Sequence, residues 1–294
     1  MEGVYSIMIQ VLNQTVKDKY SMYNGDNCDV IKGIPDNSIH YTIFSPPFQN
    51  LYVYSNSDRD MGNSKNDEEF YNHFKFLAND LYRITMKGRL LSFHCMDIPL
   101  MKERDGVIGL KDFPSMIRQI FEDVGFIYHS RVTIWKNPVT EMQRTKSLGL
   151  LYKQLKKDST MSRQGLPDYI VTMRKPGDNL ERITHNEDNF SCDKWQQYAS
   201  PVWMDIRQSH TLQKRSAKIE KDEKHIAPLQ IGVIERCIEL WTNPNDIVFD
   251  PFAGIGSSLY TAIGMGRRAI GIELKESYYN QAVSNCNQIS RCLF

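Results

Sequence analysis

Near the end of the chain, Ile247-Val248-Phe249 runs into Asp250-Pro251-Phe252-Ala253-Gly254-Ile255-Gly256-Ser257-Ser258. The pattern is a buried strand, a glycine-rich turn and the start of a helix. Gly254 and Gly256 permit tight backbone geometry and close approach of a ligand. That ligand would lie at the strand's C-terminal end, against the N-terminus of the helix. Arg268-Ala269-Ile270-Gly271-Ile272-Glu273 then reads as a second strand ending in an acid, which can accept hydrogen bonds from both hydroxyls of a ribose. A nicotinamide dinucleotide suits the turn less well. The third glycine of its fingerprint would fall at Leu259, and Asp250-Pro251-Phe252 is foreign to it. A second stretch, Ser45-Pro46-Pro47-Phe48, follows the short β-rich run Tyr41-Thr42-Ile43-Phe44. It sets a hydroxyl, the Pro46 carbonyl and a flat ring on a turn stiffened by two prolines.

Asp250-Pro251-Phe252-Ala253-Gly254-Ile255-Gly256 closely resembles the S-adenosylmethionine-binding signature of DNA amino-methyltransferases, and Ser45-Pro46-Pro47-Phe48 resembles their catalytic motif. The resemblance implies S-adenosylmethionine as cofactor. Asp250, Pro251, Phe252, Gly254, Gly256 and Ser257 would hold its methionine end, and Glu273 its ribose. The chemistry implied is methyl transfer to an exocyclic amine. The nitrogen lone pair of such an amine is delocalised into the base ring and is a poor nucleophile. Two acceptors on its two N–H groups, Ser45 Oγ and the Pro46 carbonyl, can draw the nitrogen toward sp³ geometry and aim its lone pair. Phe48 offers a face on which a flipped base can stack. No strong general base is required, because the methylated amine becomes acidic and can lose its proton to water. Serine at the first motif position is typical of N4-cytosine enzymes, whereas N6-adenine enzymes more often carry Asp. N4 of cytosine is therefore the favoured target and N6 of adenine the alternative.

The catalytic motif precedes the glycine turn by about two hundred residues, an order that resembles the β-class of these enzymes. Asn24-Gly25-Asp26, ending an early strand, matches the family position whose acid contacts the cofactor's adenine amine; Asp26 equally suits capping the following turn or helix. His225-Ile226-Ala227-Pro228-Leu229-Gln230 sits where the family carries a His-Pro-x-Gln-Lys-Pro-like element near the methionine end, with Ile226 and Leu229 departing from it. His225 and Pro228 are the cofactor candidates there, and Leu229 and Gln230 equally suit a helix start. The implied partner is double-stranded DNA. A homodimer and a companion restriction endonuclease are further expectations of the resemblance.

These motifs need a scaffold of alternating strands and helices. Strand-like runs at Tyr41–Phe44, Leu90–His94 and Phe126–Trp135 alternate with helical spacing over 67–86 and 113–124, the latter ending at Gly125. The expected fold is α/β: a Rossmann-like class I methyltransferase with a mainly parallel seven-stranded sheet and an inserted target-recognition segment. Three zones follow. Residues 1–135 hold the catalytic part of the core. Residues 136–224 form a polar insertion with one strand candidate at Tyr169–Met173. Residues 225–294 form the cofactor-binding part, with helices near 229–241 and 257–264, strands at 247–249 and 269–272, and a terminal helix.

A formal net charge of +1 gives no reason by itself to expect nucleic acid. The charge is local: residues 131–175 hold ten basic residues against three acids. Lys136, Arg144, Lys146, Lys153, Lys156, Lys157 and Arg163 are the candidates for phosphate contact. Residues 176–224, with Trp195, Tyr198 and Trp203, are the candidate target-recognition stretch, and some of these aromatics will be core. The loop Gln49–Asn66 suits closure over a flipped base, or simply a surface loop. The six cysteines are scattered without a C-x-x-C pair, so neither zinc nor a disulfide framework follows. There is no membrane-spanning apolar run and no signal-peptide pattern, and a cytoplasmic location is expected. Methyl transfer to RNA, a non-catalytic nucleic-acid-binding role and a nicotinamide-binding role remain the competing readings.

Overall fold

The computed structural model describes residues 10–48, 64, 66–145, 147–212 and 228–292. The chain order begins with strands β1 (Asn13–Val16) and β2 (Tyr20–Asn24), helix α1 (Asn27–Val30), strand β3 (Ile39–Phe44), helix α2 (Asp67–Ile84) and strand β4 (Thr85–Cys95). A small hairpin of β5 (Ile98–Leu100) and β6 (Gly109–Lys111) brackets α3 (Lys102–Asp105). Next come α4 (Phe113–Asp123), β7 (Ile127–Ile134), α5 (Pro138–Thr145), α6 (Tyr152–Lys157), β8 (Asp168–Arg174), α7 (Cys192–Tyr198) and β9 (Val202–Trp203). The last unit is α8 (Ile231–Trp241), β10 (Ile247–Asp250), α9 (Ser257–Gly264), β11 (Arg268–Glu273) and α10 (Glu276–Arg291).

The main sheet has nine strands in the order β1-β2-β11-β10-β3-β4-β8-β7-β9, not the expected seven. The two extra strands are at the edges. β1 is four largely exposed residues paired antiparallel to β2, and β9 is two residues beside β7. The seven strands between them include six that run one way and β8, which is reversed between β4 and β7. The strand expected at Tyr169–Met173 is this reversed one. β8 and β9 both come from the polar middle zone, so the main sheet runs through all three zones.

Strand alternation sends side chains to two cores. On one face Leu91, Phe93, Val171, Met173, Phe249 and Ile272 pack with α1, α2 and α4. On the other, Tyr41, Ile43, Leu90, Ile170, Val248 and Ala269 pack with α8, α9 and α10. Helix α2 shows why the sequence pattern is readable. Asn66 caps it by accepting from Glu69 N at 2.8 Å, three acids occupy its first turn, and Phe70, Phe74, Leu77, Leu81 and Ile84 are buried along one stripe. Helix α4 starts at the Asp112 cap and is followed by Gly125 at φ +107°, the left-handed stop expected from its sequence. Among the described residues no helix is long and apolar enough to cross a membrane.

The sheet edge opposite the motif turns carries a charge cluster. His40 Nε2 lies 3.1 Å from Glu181 Oε2 and 3.6 Å from Asp246 Oδ1, and Asp246 Oδ2 accepts from buried Arg89 at 2.9 Å. These three ligand-type residues do not favour a metal. His40 Nδ1 accepts from Ile247 N at 3.2 Å, so the ring proton is on Nε2 and points at the carboxylates.

Candidate active site

The parallel strands β2, β11, β10 and β3 end at one edge of the sheet, side by side at the usual spacing of about 5 Å. Each motif sits on one of these ends. Asp26 follows β2, Glu273 closes β11, Asp250 closes β10 and Ser45 follows β3.

Asp26 caps α1 by accepting from Cys28 N at 2.9 Å, so the capping role is present alongside its place at this edge. The neighbouring backbone is locked. Asn24 Nδ2 donates to the carbonyls of Glu273 and Leu274 at 2.8 and 3.0 Å, and Asn27 Nδ2 donates to that of Pro251 at 3.2 Å. Glu273 holds its own turn as well. Oε2 accepts from Gly254 N at 2.9 Å and Oε1 from Lys275 N at 2.8 Å, which orients both carboxylate oxygens.

The two turn glycines do different things. Gly254 sits at φ +53°, and a Cβ there would meet nothing within 4 Å, so the turn opens onto free space. Gly256, at φ +82°, would put a Cβ 3.0 Å from Ala282 Cβ, and its role is to let α9 and α10 approach. Gly271, which no sequence motif singles out, is tighter still. A Cβ there would lie 2.8 Å from Leu259 and 2.9 Å from Met22 Sδ. Open space before Gly254, flanked by a fixed carboxylate on Glu273 and by Asp26, fits a ligand with a hydroxylated sugar.

Asp250 is buried. It accepts from Phe252 N at 2.8 Å and from the hydroxyl of Ser258, a partner not expected from sequence. Burial pushes its carboxyl from 3.8 up to about 7, against the pull of these two hydrogen bonds. A folded value above the unfolded one means that the stability this group contributes is full below about pH 4 and is lost as pH rises toward 7. Asp250→Asn, which can keep both hydrogen bonds, should remove that slope. Urea midpoints compared at pH 5 and pH 8 read the difference, on the order of a few kcal/mol. Equal pH dependence in the two proteins would contradict the assignment.

Phe252 differs from expectation. Its ring does not line the turn but packs on Phe44 and Phe74, at centroid distances of 5.7 and 6.4 Å. Phe48 likewise packs on Phe113 at 5.5 Å while staying partly exposed. The catalytic-motif turn and the glycine turn therefore share one floor of phenylalanine rings. Pro46 and Pro47 are buried, and Ser45 is partly open.

Ser45 Oγ lies 3.1 Å from His94 Nδ1, and His94 Nε2 lies 3.3 Å from Asp168 Oδ2. Asp168 Oδ1 in turn accepts from Lys136 Nζ at 2.6 Å. Burial would raise the Asp168 carboxyl, but His94 at ion-pair distance and the hydrogen-bonded Lys136 outweigh it and hold the group down to about 2. Lys136 is a phosphate-contact candidate by sequence. It is instead buried, because a carboxylate at this depth needs a counter-charge.

Other basic candidates also separate. Arg163 is half-buried and staples its loop, donating to Ser147 Oγ at 3.0 Å and to the Gln164 carbonyl at 3.1 Å, so it too departs from a free phosphate contact. Lys153, Lys156 and Lys157 are exposed on α6, with Lys156 over the Tyr152 ring at 5.0 Å. The side chain of Arg144, and Lys146 and His225 altogether, lie outside the described residues, as do positions 49–63 and 65 of the loop after Phe48. Pro228 is partly buried just before α8, Leu229 is core and Gln230 is the N-terminal flanking residue of that helix. Of the three aromatics picked out in 176–224, Trp203 is core, Tyr198 packs against Arg236 and donates to Glu239, and Trp195 is exposed.

A model of the DNA methylase family matches residues 39–284. Among curated proteins, the chain is 24% identical to type II methyltransferase M.BglII of Bacillus subtilis, over 89% of this chain and 67% of that one. It is 26% identical to type II methyltransferase M1.MboII of Moraxella bovis, over 90% and 95%. Among solved structures, a Thermus thermophilus protein assigned as a DNA modification methylase, in complex with S-adenosyl-L-methionine, superposes with a TM-score of 0.67 at 20% identity, covering 92% of this chain and 95% of that one. The cytosine-N4-specific PvuII DNA methyltransferase superposes with a TM-score of 0.64 at 16% identity, over 96% and 97%. At these identities the structural likenesses speak for the fold.

Proposed function

The chain belongs to the N6/N4 DNA methylase family, and from that premise we propose that it methylates the exocyclic amine of a flipped base in double-stranded DNA, with N4 of cytosine as the favoured target. S-adenosylmethionine is the methyl donor. Glu273 and Asp26 would hold its nucleoside, and the turn from Asp250 to Ser257, with Pro228 and His225 nearby, its methionine end. When bound, it would supply an electrophilic sulfonium methyl to the lone pair of the amine.

One observation carries the reading. Ser45 stands partly open at the end of β3, one strand from the glycine turn at the end of β10. The amine binds there with its two N–H groups on Ser45 Oγ and the Pro46 carbonyl, and Phe48 stacks on the base. The preference for cytosine rests on the hydroxyl at position 45, in place of a carboxylate. Lys153, Lys156 and Lys157 on α6 supply phosphate contacts. Their segment leaves β7 and returns to β8 at the same edge as Ser45. The type II relatives favour a companion restriction endonuclease.

The test is expression in a host lacking its own DNA methylation, followed by digestion of DNA and RNA to nucleosides and mass spectrometry. N4-methylcytosine in DNA is the expected product. N6-methyladenine in its place would overturn the base preference. A modified base confined to RNA, or none with folded cofactor-binding protein present, would overturn the substrate.

A further inference from the structure

The sheet register sets four polar side chains in a row along the functional edge. β3 and β4 pair Phe44 with Phe93, so Ser45 and His94 are the next residues on adjacent parallel strands. β4 and β8 pair His94 with Ile170, which puts Asp168 one diagonal step away on the same face. β7 pairs Ile134 with Asp168, and Lys136 follows two residues on, again on that face. The observed distances close the chain: 3.1 Å from Ser45 to His94, 3.3 Å from His94 to Asp168 and 2.6 Å from Asp168 to Lys136.

This order favours one placement of the hydrogens. His94 Nε2 lies 3.3 Å from Asp168 Oδ2 without closing a hydrogen bond, and a carboxylate, which only accepts, favours the tautomer with the proton on Nε2. A neutral His94 then has a bare Nδ1, and the Ser45 hydroxyl donates to it. The opposite tautomer would set a nitrogen lone pair against the carboxylate. With its hydrogen committed to His94, Ser45 Oγ keeps its lone pairs for the substrate amine. The other ionisable groups near the end of β4, Asp97, Asp112 and Arg131, gather around Cys95 on the opposite face of the strand. Lys136 Nζ has Met96 Sδ as its other neighbour, at 3.9 Å.

We propose that His94, oriented by Asp168 and Lys136, makes Ser45 a hydrogen-bond acceptor and receives through it the proton released by the methylated amine. The inference rests on the amine-methylation reading above. Once methylated, the nitrogen is positively charged. One N–H bond breaks with its electron pair returning to nitrogen, and the proton joins Ser45 Oγ. The original Ser45 hydroxyl proton passes to the lone pair of His94 Nδ1. The result is a neutral methylated base, a neutral serine and an imidazolium whose Nε2–H faces Asp168, and the imidazolium later gives its proton to water. His94, Asp168 and Lys136 act through Ser45 and are positioning residues.

Two measurements test this. ¹⁵N NMR of the ligand-free protein near pH 8 should show His94 as the Nε2–H tautomer, and Asp168→Asn should shift it toward Nδ1–H. An Nδ1–H tautomer in the unaltered protein overturns the proposal whatever the substrate is. Single-turnover methyl transfer is then followed against pH. The unaltered protein should lose rate on the acid side of its profile. His94→Asn can still accept from Ser45 but cannot take a proton, so it should be slower by roughly 100-fold at neutral pH. It should also lack the acid limb, with cofactor affinity unchanged by calorimetry. Asp168→Asn should be slower by about tenfold, less than the loss of the proton acceptor itself, because it removes only the group that orients His94. A cofactor-binding His94→Asn protein with the unaltered pH profile overturns the relay while leaving the methyltransferase reading in place. Absence of any methyl transfer by the unaltered protein overturns that reading, and the tautomer measurement still decides the relay.

Discussion

Ser45→Ala is expected to slow methyl transfer by on the order of 10³-fold, while S-adenosylmethionine binds as before. The size follows from what the hydroxyl does at its position. The side chain sits partly open at the end of β3 with His94 3.1 Å away. Removing it leaves one amine hydrogen without an acceptor as positive charge grows on nitrogen, and it cuts the route to His94. Losing one preorganised polar contact to developing charge is worth about 3–4 kcal/mol in comparable sites. The cofactor should not notice, because Asp250 ends β10, Gly254 lies in the turn after it and Glu273 ends β11, all away from the β3 end that carries Ser45. The measurement pairs single-turnover rates with calorimetric cofactor affinity. Full turnover in Ser45→Ala would refute the assigned role, and a matching loss of cofactor affinity would point to a collapsed turn.

Glu273→Ala should do the reverse, weakening S-adenosylmethionine binding by roughly 10³-fold with little change in rate at saturation. Each carboxylate oxygen accepts one backbone N–H, from Gly254 or Lys275, which aims the carboxylate at the place a ribose would take. Two hydrogen bonds to a charged acceptor are worth about 1.5–3 kcal/mol apiece. The substitution also releases Gly254, whose φ of +53° is held partly by that contact. Glu273→Gln should fall between, since its NH₂ group would confront one of the two N–H donors. Unaltered affinity in Glu273→Ala by isothermal titration calorimetry would remove Glu273 from the site.

What sequence can reveal here is what depends on neighbours along the chain. The β10–turn–α9–β11 unit is legible to within a residue or two because its glycines, apolar runs and closing acid are contiguous. Helix α2 is legible because its stripe and cap are local. His94 and Asp168 are not, although both are in plain view. Their meaning depends on strand register, which brings Ser45 beside a residue 49 positions later. A histidine ending the strand that follows the catalytic motif is the available signal. Lys136 misleads for a related reason: counting charges cannot show that one lysine is committed to a buried acid. Phe252 lies inside a recognisable motif, yet its ring goes to the aromatic floor and only its backbone serves the turn. β1 and β9 escape because Asn13-Gln14-Thr15-Val16 has no apolar alternation and two residues carry no period at all.

The reversal of β8 has a consequence for how such a protein can change. A strand running against its neighbours starts, rather than ends, at the functional edge. Residues 137–167 therefore leave the β7 end and re-enter β8 as one long hairpin connection, anchored by the Ile134–Asp168 pair. Doubling the length of a flexible connection costs only about 0.6 kcal/mol in closure entropy. The segment can thus be lengthened, shortened or exchanged with its anchor pair intact, without moving a single sheet register. The exposed lysines of α6 ride on that exchangeable part, while Lys136 and Asp168 stand beside its two stems. Contacts to the substrate can then diverge quickly around chemistry that stays put.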